Sequence, residues 1–174
     1  MQPSRTNSRL AAISLALALG GIAVSAYLTL VHYRDDLLVC AVGGCHTVQK
    51  SPYAEIEGIP VAILGLGMFV VMTALLIVRR LRPAWADTIT LATFGLALAG
   101  AVFAVYLTYL ELFVIHAVCQ WCVLTAIVIW LLTIVEGTLV LTSTADDRSF
   151  VDDVADDEQL LDGSTANTQK VAGS

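Results

Sequence analysis

The sequence predicts an all-α integral membrane protein, built as a bundle of four transmembrane helices. Hydrophobic residues make up 57% of the 174 residues and charged residues only 14%. An ordinary soluble domain is about 45–50% apolar and about 25% charged, so one soluble core cannot account for the excess. Four apolar stretches are each long enough to cross about 30 Å of hydrocarbon. They are approximately residues 11–31, 59–78, 88–110 and 118–142.

Charged residues and prolines separate these four stretches. Arg34–Asp36 end the first, Gly58–Pro60 open the second, and Arg79–Pro83 end it. Proline is tolerated in a first helical turn because the N–H that it lacks has no helical partner there. A short turn with Glu111 and His116 precedes the fourth stretch. Small residues four apart indicate faces for close helix packing in lipid; the pairs are Ala16/Gly20, Gly21/Ser25 and Ala97/Ala101.

Basic residues near the span ends predict the orientation of the chain. Arg5 and Arg9 precede the first span and three arginines follow the second, whereas the opposite side carries only Arg34 and Lys50. Because basic loops stay in the cytoplasm, both termini are expected there, and the cysteines on the opposite face. The alternative, a cleaved signal peptide, is disfavoured because the first apolar run continues to Val31, beyond a typical signal core.

The negative charge of the chain is confined to its C-terminal segment. Residues 143–174 hold eight acids and two bases, a net charge of −6, which equals the formal charge of the whole chain. This segment has few large apolar residues and is expected to be a disordered cytoplasmic tail beside the membrane domain, residues 1–142. No basic stripe exists in the sequence, so nucleic acid is not an expected partner.

Two cysteine pairs are predicted to meet at the extracytoplasmic face. Cys40 and Cys45 lie in the loop 32–58, and Cys119 and Cys122 form a Cys-x-x-Cys motif at the head of the last span. Disulfides persist outside the cytoplasm. The start of a helix favours a thiolate in the second pair, and the loop pair is suited to thiol–disulfide exchange with another protein. This pattern indicates a redox protein that takes electrons from a separate thiol donor.

Two other interpretations of the cysteines stay open from the residues alone. The first is a membrane scaffold protein with two purely structural disulfides, which would resist mild reductants. The second is a zinc site, for which the four cysteines together with His46 and His116 offer ligands.

The order of several short motifs resembles one known family. The matching pieces are Ser51-Pro52-Tyr53-Ala54, Gly58-Ile59-Pro60, Leu64-Gly65 and Cys119-Gln120-Trp121-Cys122, after the loop cysteine pair. The resemblance extends over about residues 10–142, nearly the whole membrane domain. This ordered set is similar to bacterial members of the vitamin K epoxide reductase family, which are DsbB-like thiol:quinone oxidoreductases.

The resemblance implies a four-helix bundle around a quinone, either ubiquinone or menaquinone, and disulfide formation for exported proteins. Cys40 is expected to exchange with a DsbA-like partner of thioredoxin fold, Cys45 to pass electrons to Cys119, and Cys122 to reduce the quinone. Ser51 matches the serine of the family that hydrogen-bonds a quinone carbonyl. Its alternative role is to cap the short segment that begins at Pro52.

Other positions near the motif carry further expectations. Trp121 and Tyr109 flank the cysteines and are expected to contact the quinone ring. Glu111 and His116 lie beside the motif, where they could help to accept or release protons; the favoured expectation is that both are solvated loop residues. The animal enzymes carry an Asn and a Tyr that contact the vitamin, at positions held here by Val61 and Ala126. This departure disfavours vitamin K epoxide as a substrate but leaves quinone reduction intact. Glu136, inside the last span, is expected to snorkel or to pair locally.

Overall fold

The computed structural model describes residues 5–34, 39–40, 44–56 and 58–144 and contains four long helices. All four are long and apolar enough to cross a membrane. This confirms the predicted all-α membrane bundle, with each predicted span falling largely within one helix. The long helices are α1 (Arg5–Tyr33), α3 (Val61–Leu81), α4 (Ala86–Leu110) and α5 (Gln120–Thr144), and a short helix, α2 (Cys45–Gln49), follows α1 in the chain.

A small irregular unit joins α2 to α3. It consists of a 3₁₀ turn, Pro52–Ala54, and an antiparallel hairpin of two very short strands, β1 (Glu55–Ile56) and β2 (Ile59–Pro60). Gly58 turns the hairpin with a φ of 81°, a left-handed conformation that glycine adopts without steric cost. The hydropathy pattern did not predict this hairpin. It leads the chain directly into the first turn of α3.

Close packing of small residues holds α1, α3 and α4 together. Gly21 lies directly against the ring of Phe69, and Gly100 lies against Met68. In lipid such close approach supplies the van der Waals contact that drives helix association. Gly21/Ser25 and Ala97/Ala101 are buried as predicted. The prediction for the remaining pair is wrong, because Gly20 is exposed and a side chain there would meet no atom within 4 Å.

A buried ion pair joins three helices at the end of the bundle that carries Arg79, Arg80 and Arg82, called here the arginine end. Arg79 Nη1 lies 2.7 Å from Glu136 Oε2, and Thr93 donates a hydrogen bond of 2.7 Å to the same oxygen. Glu136 is completely buried. The expected pairing of Glu136 is therefore confirmed, and its partners come from α3 and α4.

The chain divides into two units, Met1–Leu139 and Val140–Ser174. In the second unit the structure describes residues 140–144, the last turn of α5, where Ser143 and Thr144 donate hydrogen bonds to the Val140 carbonyl. Beyond Thr144, the predicted acidic tail lies outside the described residues.

Candidate redox site

The two cysteine pairs are in different oxidation states in this structure. Cys40 and Cys45 form a disulfide with their Cα atoms 6.1 Å apart. Cys119 and Cys122 are free thiols, the first buried and the second half-buried. The sequence left the pairing open, and the structure places one closed pair at the entry to α2, with Cys45 as the first residue of that helix, and one reduced pair at the start of α5. We call this end of the bundle the cysteine end.

A direct backbone contact brings the two pairs together. Gly44 precedes Cys45, and Val118 precedes Cys119. A Cβ atom at Gly44 would lie 2.5 Å from the carbonyl oxygen of Val118 and 2.8 Å from its nitrogen, closer than real Cβ contacts. Only a glycine therefore fits here, and the contact holds the loop pair against the residue next to the Cys-x-x-Cys motif.

Two aromatic side chains hold the other end of the loop pair. Trp121 Nε1 donates a hydrogen bond of 2.9 Å to the carbonyl of Val39, and the Val39 N–H donates one of 3.0 Å to the Tyr27 hydroxyl. The rings of Tyr27 and Trp121 also contact each other, with centroids 4.8 Å apart. Val39 precedes Cys40, so Trp121, inside the second cysteine pair, positions the first pair.

A π-helical turn, Glu111–Ile115, shapes the approach to the motif. It ends at His116, which has a φ of 53°, and the Ala117 N–H donates a hydrogen bond of 3.1 Å to the Glu111 carbonyl. Turns of this kind occur frequently at functional sites. Here the turn directs the Glu111 side chain toward both cysteines of the motif.

Glu111 is a buried member of the site. Its Oε2 accepts a hydrogen bond of 3.4 Å from the Cys119 N–H, and its carboxyl group also interacts with the Cys122 thiol. The expectation of a solvated Glu111 is wrong, because only 5% of the residue is exposed. An acid at the end of an apolar run was the available signal, since a carboxylate at that depth needs partners. His116 is exposed, as expected.

The hydrogen bond within the Cys-x-x-Cys motif activates Cys119. Cys119 lies between the spans, after Ile115 and before Gln120. A hydrogen bond from the Cys122 thiol lowers the pKa of Cys119 from 9.0 to about 7, against the effect of burial. Because the thiolate is the reactive form, Cys119 is a competent nucleophile near neutral pH.

A mostly apolar cavity of about 340 Å³ opens beside Cys122. This volume lies within the usual range for sites that bind small molecules. Its lining comes from all five helices, the segment after α2 and the π-helical turn. The lining residues that concern the sequence predictions are Ser51, Val61, Glu111, Cys122 and Ala126.

Ser51 lies at the cavity wall but does not cap the turn that begins at Pro52. Its hydroxyl donates a hydrogen bond of 2.8 Å to the Val48 carbonyl, and no side-chain hydrogen bond caps the 3₁₀ turn. The capping role considered from the sequence is therefore wrong. Contact with a quinone stays a prediction.

The other two predicted quinone contacts occupy different positions. Neither Trp121 nor Tyr109 is among the described residues that line the cavity. Tyr109 is exposed and stacks on Phe113, with ring centroids 5.0 Å apart. Their contact with a quinone stays a prediction. Within the described residues no group of three His, Cys, Asp or Glu side chains is placed to hold a metal ion, and the His46 side chain lies outside them.

Comparison with known families agrees with this geometry. The model of the vitamin K epoxide reductase family matches residues 12–136, well over half of the 174-residue chain. The match includes all four cysteines, Ser51 and Glu111. The chain therefore belongs to the vitamin K epoxide reductase family of membrane thiol–disulfide oxidoreductases.

Proposed function

We propose that the chain is a membrane thiol:quinone oxidoreductase that generates disulfides for exported proteins. One observation carries the proposal: Cys122 lines the apolar cavity, while its partner Cys119 follows the residue that contacts the loop of the Cys40–Cys45 disulfide. Electrons that enter at Cys40–Cys45 can therefore pass by disulfide exchange to the pair that lines the cavity.

The route proceeds by thiol–disulfide exchange. A thiolate of a reduced, DsbA-like partner of thioredoxin fold attacks the Cys40–Cys45 disulfide, and its second thiol resolves the mixed disulfide. The partner leaves oxidised, and the loop pair holds two thiols. Cys45 then attacks a Cys119–Cys122 disulfide at Cys119, and Cys40 resolves the product, which restores the loop disulfide. The oxidation states in the structure match those after this internal transfer.

The cavity fits a quinone ring better than a charged or strongly polar molecule. Its wall is mostly apolar, and it offers a serine hydroxyl at Ser51 and a thiol at Cys122. Ser51 would hold a quinone carbonyl by turning its hydroxyl away from Val48. When bound, a quinone supplies the capacity to take up two electrons and two protons from the dithiol. Val61 and Ala126 add no hydrogen-bonding group, so ubiquinone or menaquinone is a better candidate than vitamin K epoxide.

The proposed orientation places the cysteine end on the extracytoplasmic face of a bacterial-type inner membrane. Arg79, Arg80 and Arg82 cluster at the C-terminal end of α3 and the start of the linker to α4. The loop pair precedes α3, at its other end. Basic residues favour the cytoplasmic side, which leaves the cysteines to meet exported partners in an oxidising compartment.

The direct test is quinone reduction by the purified protein in lipid nanodiscs, followed by absorbance. The electron donor is a reduced DsbA-like protein, and the acceptors are short-chain ubiquinone and menaquinone analogues. Turnover by the wild type, abolished in Cys122→Ala and Cys40→Ala, is the expected result. Ser51→Ala is expected to raise the KM for the quinone more than it lowers kcat. Absence of turnover, with the Cys40–Cys45 disulfide intact in mild reductant, would favour a structural scaffold instead.

A further inference from the structure

We propose that Glu111 is a catalytic residue that accepts the proton of the Cys122 thiol when the Cys119–Cys122 pair is oxidised. The carboxyl group accepts a hydrogen bond of 3.4 Å from the Cys119 N–H, and it also interacts with the Cys122 thiol. It lines the same cavity as Cys122. One side chain thus contacts both halves of the reacting pair and the space where the electron acceptor is proposed to bind.

The composition of the cavity wall singles out Glu111 for this role. Among the described lining residues the titratable ones are Tyr53, Glu111 and Cys122, so Glu111 supplies the one carboxyl group. Tyr53 is 46% exposed and lies in the 3₁₀ turn, outside the motif. Ionisable side chains buried at membrane depth are costly and usually functional. A carboxylate that only capped Cys119 could be replaced by an uncharged amide without loss.

This oxidation of the Cys119–Cys122 pair rests on the proposed quinone reductase function. An Sγ–Sγ bond forms between Cys119 and Cys122, and both S–H bonds break. Two electrons pass to the quinone acceptor, which also takes up two protons. The Cys122 proton moves first to the Glu111 carboxylate and from there into the cavity. The Cys119 proton is released to water at the cysteine end, and the second proton that the quinone takes up comes from water.

The experiment follows closure of the Cys119–Cys122 disulfide in the reduced, full-length protein in nanodiscs. Samples are quenched with acid after rapid mixing and alkylated, and mass spectrometry reports each cysteine. Two oxidants are used separately: a short-chain quinone, and diamide, a small uncharged oxidant of dithiols. Glu111→Gln preserves the acceptor for the Cys119 N–H but removes the proton acceptor. Glu111→Asp restores a carboxylate, and Glu55→Gln removes a half-exposed carboxylate outside the site as a matched control.

The expected result is that Glu111→Gln slows closure about 100-fold with both oxidants, the usual scale of general base catalysis. Glu111→Asp should recover part of the rate, and Glu55→Gln should match the wild type. Closure of Glu111→Gln at the wild-type rate would overturn the proposal, even if the enzyme reduces quinones. A wild type that closes with diamide but not with any quinone would contradict the proposed function. The Gln and Asp variants would still decide the role of Glu111 in that case.

Discussion

Replacing Gly44 by alanine should interrupt electron transfer between the two cysteine pairs. The new Cβ atom would lie 2.5 Å from the Val118 carbonyl oxygen, whereas ordinary contact begins at 3.4 Å. The neighbouring atoms are backbone, so no side chain can rotate away, and the loop must retreat by about 0.9 Å. A misplacement of about 1 Å can cost about 100-fold in rate. We therefore expect transfer from Cys45 to Cys119 to slow by about 10- to 100-fold.

The assay separates this transfer from the reaction with the partner. Fully oxidised protein is mixed with a reduced DsbA-like donor, quenched at intervals and analysed for the redox state of each pair. Gly44→Ala should let the Cys40–Cys45 disulfide open at a near-normal rate but delay the appearance of thiols at Cys119 and Cys122. Gly20→Ala is the matched control, because its Cβ would meet no atom within 4 Å. Unchanged internal transfer in Gly44→Ala would refute the proposed contact between the pairs.

Three further predictions follow from the geometry. Oxidation of the Cys119–Cys122 dithiol, measured by quenched alkylation, should accelerate as the pH rises and level off above about pH 7, because Cys119 is then a thiolate. A rate that does not change with pH would contradict this. Arg79→Ala should destabilise the protein by about 3–5 kcal/mol in thermal or denaturant unfolding, because Glu136 is left buried without its partner; an unchanged unfolding transition would refute the pairing. Trp121→Phe should increase hydrogen exchange at the Val39–Cys40 segment, because it removes the indole N–H donor while keeping an aromatic ring. Unaltered exchange would show that this hydrogen bond does not hold the segment.

The sequence was informative wherever hydrophobicity or spacing decides the outcome. The four spans follow from apolar length alone, because hydrocarbon thickness fixes the number of helical residues. The position of Cys122 beside a cavity followed from family resemblance. The hairpin at Gly58 was missed, because two strands of two residues each leave no periodic signal. The burial of Glu111 was also missed, since it depends on the π-helical turn, which no local pattern in the sequence announces.

Trp121 shows a different limit of the sequence. Its place beside the cysteines is visible in the motif, but the direction of its indole depends on the fold. The N–H reaches Val39, 82 residues earlier in the chain. Hydrogen bonds between such distant segments are a tertiary property, so sequence spacing alone could not choose between the cavity and the loop.

The Cys40–Cys45 disulfide is anchored at two points on the segment that carries Cys119 and Cys122. Val39, next to Cys40, binds Trp121, and Gly44, next to Cys45, contacts Val118. When the loop disulfide opens, neither anchor depends on it, so both thiols stay near Cys119. Under the proposed function, exchange would then require only local rotations, and the high effective concentration of the reacting groups would favour it. At the opposite, arginine end, the buried pair of Arg79 and Glu136 links α3 to α5 independently of the cysteines.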